Sequence, residues 1–124
     1  MASLNMGASF PFNQSQINEV VEPGRIGNYA YGYFNEKGEF VVKYVGRSDT
    51  DLRQRIAHGL SEYAENPTLR YERFKFSYAN SPQEAYEKEC RNYHDFGGEK
   101  GWLMNINHPQ KPEGDTSACP ICGL

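Results

Sequence analysis

The sequence predicts a small α+β domain in which helices cover a central sheet of three strands. Two alternating segments joined by a turn (Asn28 to Phe34 and Glu39 to Val45) predict it. So do an apolar stripe at four-residue steps, Leu52, Ile56 and Leu60, and a capping box at Ser81-Pro82-Gln83-Glu84. The order strand, strand, helix, strand, helix with short connections leaves few other arrangements.

Residues 1–24 are rich in Asn, Ser, Gly and Pro and lack a sustained period; they read as an N-terminal arm laid over the domain. Ile17, Val20 and Val21 offer at most one amphipathic turn before Pro23-Gly24. The hairpin follows, with Tyr29, Tyr31 and Tyr33 on one face and Asn35-Glu36-Lys37-Gly38 as its turn. By alternation Tyr44 shares a face with Phe40 and Val42. The first long helix starts beside Asp49 and Asp51, where carboxylates meet the positive end of the dipole, and stops at Asn66-Pro67. Tyr71 to Tyr78 alternate again, with Phe74, Phe76 and Tyr78 inward and Arg73 and Lys75 on the opposite face. The capped helix runs to about Phe96. Trp102 to Asn105 form a short apolar return, so the domain spans 25–107, and 108–124 is a Pro- and Gly-rich tail.

At 124 residues, 38% hydrophobic and 14% aromatic, the chain suffices for one core. It has no apolar run of membrane-spanning length, and its first residues lack the cationic and apolar regions of a secretory signal. Three cysteines suit metal or thiol chemistry better than a disulfide framework, so a reducing, cytoplasmic setting is expected. A net charge of -3 argues against coating by nucleic acid, and any such contact must be local.

The capped helix presents Glu84, Lys88, Arg91 and Asp95 to water and Ala85, Tyr86, Cys90 and Tyr93 inward. Glu89 breaks the pattern, since it lies on the inward stripe and must be paired, protonated or metal-bound. Position alone favours a rim salt bridge to an arginine. Arg55 borders the buried stripe of the first long helix, whereas Arg53 is turned further toward solvent.

Taken together, Gly27-Asn28-Tyr29, Tyr44-Val45-Gly46, Leu52-Arg53-Gln54-Arg55, Ala85 to Glu89 and Leu103-Met104-Asn105 resemble, in order and kind, the GIY-YIG nuclease family. The likeness covers roughly 27–107. It implies a three-stranded antiparallel sheet flanked by helices and an Mg²⁺- or Mn²⁺-dependent endonuclease that hydrolyses DNA phosphodiester bonds. The resemblance assigns catalytic roles to Tyr29, Tyr44, Arg55, Glu89 and Asn105, with Glu89 as the metal ligand. Arg47, Arg53, Arg73 and Lys75 would supply a local positive cleft for DNA. The chain departs from the family in reading GNY for GIY, and its hairpin is long enough for Tyr31 or Tyr33 to take the first tyrosine's place. It also carries Gly59, with His58 one position earlier, where relatives often carry His or Tyr. These departures support the rival reading: a cleavage-deficient nucleic-acid-binding or protein-interaction module on the same fold.

Cys119-Pro120-Ile121-Cys122 has the form of a zinc knuckle, and Cys90 and His94, four apart on one helix, would complete a Cys₃His set, with His108 in reserve. A structural zinc and a plain buried Cys90 are evenly balanced alternatives.

Overall fold

The computed structural model describes Leu4 and residues 6–95. In chain order these form β1 (Phe10–Pro11), α1 (Gln14–Val20), β2 (Gly27–Phe34), β3 (Phe40–Ser48), α2 (Leu52–Glu65), β4 (Arg73–Tyr78) and α3 (Pro82–Asp95), with a 3-10 turn at Pro67–Leu69. The class is α+β, but the sheet has four antiparallel strands rather than three, in the order β1-β4-β2-β3.

The extra strand and helix both come from the segment read as an arm. β1 is two residues long and ends on a proline, too short to show alternation, yet Phe10 pairs with Phe74 at the edge of β4. α1 is seven residues long, capped by Asn13, whose side chain accepts from the Gln16 N–H. One inward residue, Ile17, is fully buried. A helix this short has no sequence signal of its own and is held by packing. Phe12, Ile17 and Val21 join Tyr29, Tyr31, Leu52, Ile56, Tyr71 and Phe74 in the core between the sheet and α2. Leu4 and Met6 fill the other face with Ala30, Val42, Val45 and Tyr93.

The hairpin is not a regular ladder. Tyr31 pairs with Tyr44 but Gly32 pairs with Val42, so Lys43 is an extra residue. A one-residue slip reverses every face beyond it. Val42 therefore packs toward α3, whereas Tyr44 packs with Tyr29 and Tyr31 toward α2. The expectation that Tyr44 shares a face with Val42 and Phe40 is corrected by this bulge.

α2 is capped by Asp51, whose carboxylate accepts from the Gln54 N–H at 3.3 Å. α3 is capped by Ser81, whose hydroxyl accepts from the Glu84 N–H at 3.1 Å, and the Glu84 carboxylate reaches back to the Asn80 N–H. Ala85, Tyr86, Glu89, Cys90, Asn92 and Tyr93 are its buried residues, so the inward stripe and its acidic exception are both present. Asn28 joins this helix to the sheet: it is fully buried, and its amide donates to the Ala85 carbonyl at 2.8 Å. No helix among the described residues is long and apolar enough to cross a membrane.

Candidate active site

Three aromatic rings line the α2 side of the sheet. The centroids of Tyr29 and Tyr44 are 6.2 Å apart and stacked, and Tyr31 lies 5.0 Å from Tyr29 and 5.8 Å from Tyr44. Tyr29 and Tyr44 converge because β2 pairs with β3 and the bulge turns Tyr44 onto the Tyr29 face. Gly46 lies opposite Tyr29 in the ladder, and the Tyr29 ring occupies the volume a Cβ at 46 would need.

Arg55 projects from the first turns of α2 toward Tyr29 and Tyr44, and each of the three groups acts on the ionisation of the others. Together with Tyr31, His58, Gly59 and Glu62 these residues line an open cleft of about 120 Å³. His58 thus reaches the cleft despite its offset in the helix, and Gly59 makes room for a neighbour. The Tyr31 ring fills the space a side chain at 59 would take, and its hydroxyl donates to the Ile56 carbonyl at 2.8 Å. Tyr33 is elsewhere, beneath Arg70, whose guanidinium lies 3.8 Å from its ring centroid. Of the three hairpin tyrosines, Tyr29 is the one engaged with Arg55.

Burial raises the Tyr29 hydroxyl well above the ordinary phenol range, and the neighbouring Tyr44 adds to this, against the opposing pull of Arg55. Tyr44 is raised as well, by burial and then by the charge of Glu89. Arg55 is held more firmly protonated, chiefly by Tyr29. Glu89 is close enough to act on both tyrosines.

Glu89 reaches this neighbourhood from α3, on the other face of β3. It is 8% exposed, and one oxygen accepts from Arg47 Nη1 at 2.5 Å. The same guanidinium grips Asp49 with Nε at 2.9 Å and Nη2 at 3.5 Å and lies 5.2 Å from the Tyr86 ring centroid. Burial raises the Glu89 carboxyl above its ordinary value, and Arg47 opposes the rise. For Arg47, burial alone would favour loss of the proton, but the bond to Asp49 and the charge of Glu89 outweigh it. The bland expectation for Glu89, a salt bridge to an arginine, is what the structure contains.

Among the described residues no three His, Cys, Asp or Glu side chains converge to hold a metal. Mg²⁺, however, commonly takes one or two carboxylates and fills its shell with water and phosphate oxygen. Two carboxylates already gathered around one cation at Arg47 fit that donor chemistry.

The basic residues expected to form a DNA cleft do not converge. Arg47 is neutralised by Glu89 and Asp49. Arg53 donates to the carbonyls of Asn18 and Val21, clamping α1 onto α2 rather than turning to solvent. Arg73 donates to the hydroxyl and carbonyl of Ser9. Lys75 sits 4.7 Å from the Phe40 ring centroid, on the α3 side of the sheet. Local sequence pattern could not reveal these contacts, because the acceptors for Arg53 and Arg73 lie in the N-terminal segment.

Cys90 is buried and His94 half-buried on α3, while Cys119, Cys122, His108 and Asn105 lie outside the described residues. The zinc set and the late asparagine therefore rest on sequence alone. Neither a protein-family model, nor a curated protein, nor a solved structure matches this chain.

Proposed function

We propose that the protein is a single-metal endonuclease of the GIY-YIG type acting on DNA. The observation that carries this reading is the convergence of Tyr29, Tyr44 and Arg55 on one cleft; the charge of Glu89 bears on both phenols from the α3 side.

Glu89 would hold Mg²⁺, which when bound supplies Lewis-acid stabilisation to a phosphodiester. Arg55, firmly protonated, is placed to hold a phosphoryl oxygen and to favour charge that develops there. Tyr29 is a neutral phenol at neutral pH. Its minor phenolate form, held beside the Arg55 guanidinium, accepts the proton of an attacking water as the water oxygen bonds to phosphorus and the bond from phosphorus to the leaving 3′ oxygen breaks, so the neutral phenol is regenerated and the leaving oxygen takes its proton from solvent. Tyr44 stacks on Tyr29 and so limits the directions its ring can take. Glu62, two helical turns along α2 from Arg55, also lines the cleft, and its charge disfavours a second phosphate beside the one that Arg55 would hold.

The rival reading is a binding module that does not cut, and the Arg47–Glu89 pair is the observation that favours it. Incubating the protein with linear, nicked and branched DNA in Mg²⁺ or Mn²⁺ separates the two. Cleavage products support the nuclease; retention of DNA with no product from any substrate supports the module.

A further inference from the structure

We infer that Arg47 is a built-in competitor for the metal: its guanidinium holds Glu89 closed until a divalent cation displaces it, and so sets the metal concentration at which the site fills. The inference rests on the nuclease reading, because it takes Glu89 as a metal ligand.

The geometry has the properties of a latch. Arg47 Nη1 and Glu89 Oε1 are 2.5 Å apart, with the two side chains 12% and 11% exposed, so water competes poorly for either group. A carboxylate oxygen that accepts from a guanidinium at this distance cannot simultaneously ligate a cation along the same lone pair. The two positive charges would also repel across a poorly solvated space. A metal on Oε1 therefore displaces the contact, and an ion on the other oxygen still has to overcome the adjacent guanidinium charge.

Breaking it does not strand the arginine. Asp49 takes Nε and Nη2 side by side, a two-point grip that persists when Nη1 is released, and the Tyr86 ring supports the same guanidinium. Arg47 thus has a second resting partner, Asp49, and two states of the pair can exchange without unfolding. Asn28 holds the strand and the helix in place meanwhile: it sits opposite Arg47 in the β2–β3 ladder and donates to the Ala85 carbonyl, one helical turn before Glu89. A metal whose binding-competent state is only a fraction of the population shows an affinity lowered by that fraction.

The test is binding of Mn²⁺ alone, followed by loss of the free-ion electron paramagnetic resonance signal, in the full chain and its variants Arg47→Met, Arg47→Lys, Glu89→Gln and Arg47→Met/Glu89→Gln. Arg47→Lys keeps a positive charge near Glu89 but cannot hold both carboxylates in one fork, so it guards against the case in which Arg47→Met fails to fold. The expected result is a dissociation constant at least about threefold tighter in Arg47→Lys and more than about tenfold tighter in Arg47→Met, with the gain abolished in the double variant. Equal or weaker binding in Arg47→Lys overturns the latch. Mn²⁺ binding by the unmutated chain that is unchanged in Glu89→Gln overturns the metal site itself, and the latch with it.

Discussion

The Tyr29 ring lies over Gly46, its partner across the β2–β3 ladder, in the space a side chain at position 46 would occupy. This one relationship links the two sequence motifs that carry the tyrosines. Gly46 is required less for a turn than for the close approach of a buried phenol. Gly46→Ala should push Tyr29 out of register with Arg55, costing ~1–3 kcal/mol of stability by overpacking. Cleavage should fall by more than about a hundredfold, since misplacing a reacting group has effects of that order. Thermal unfolding and a single-turnover cleavage assay measure the two effects separately.

A similar pairing joins Gly59 to Tyr31. Gly59→Ala should destabilise the fold because the Tyr31 ring already fills that space and its hydroxyl is tied to the Ile56 carbonyl. Tyr31→Phe loses only that hydrogen bond, a change of ~1 kcal/mol, and leaves the ring in place. In the double variant the smaller phenylalanine should relieve part of the clash, so the two losses should not add. Additive losses in urea unfolding would contradict the packing.

The rate should rise with pH. Burial raises the Tyr29 hydroxyl, so it is protonated at neutral pH, and the fraction able to accept a proton grows tenfold per pH unit below its pKa. Log kcat/KM should climb with a slope near one from about pH 6 to about pH 9 at saturating Mg²⁺, and Tyr29→Phe should flatten it. A plateau beginning below pH 7 would assign the proton to another group.

Truncation before Asn13 should unfold the protein rather than free it of an appendage. Phe12, Leu4 and Met6 are core residues, and Arg73 is satisfied by Ser9. Loss of the cooperative thermal transition is the expected outcome.

That truncation also shows where sequence reasoning stopped. The hairpin, α2, β4 and α3 were legible because each carries a long period or a capping pattern, from Leu52 and Ile56 to Ser81 and Glu84. β1 and α1 were not, since two residues and one helical turn of inward contacts carry no period. The bulge at Lys43 was invisible for a different reason: alternation in Phe40 to Tyr44 looks unbroken, and only the register against Tyr31 and Gly32 exposes the slip. In the site, the inward direction of Glu89 was legible from helical spacing, and so was its pairing to an arginine. Which arginine was not, because nothing in the sequence separates Arg47 from the other arginines expected to meet DNA. Asn28, where the resemblance leads one to expect an apolar residue, is fully buried and donates to the Ala85 carbonyl, a contact between residues 57 positions apart that no local pattern announces.

In the proposed nuclease, Glu89 and the Tyr29–Arg55 cleft form one catalytic site. The most direct test of this is the rate of Mg²⁺-dependent DNA cleavage by Glu89→Gln beside the unmutated protein. Glutamine keeps the shape and an oxygen acceptor for Arg47 but gives up the charge. The account predicts cleavage by the unmutated protein and a loss of at least about a thousandfold in the variant, with thermal stability changed by no more than ~1–3 kcal/mol. Equal cleavage by the two proteins would contradict it.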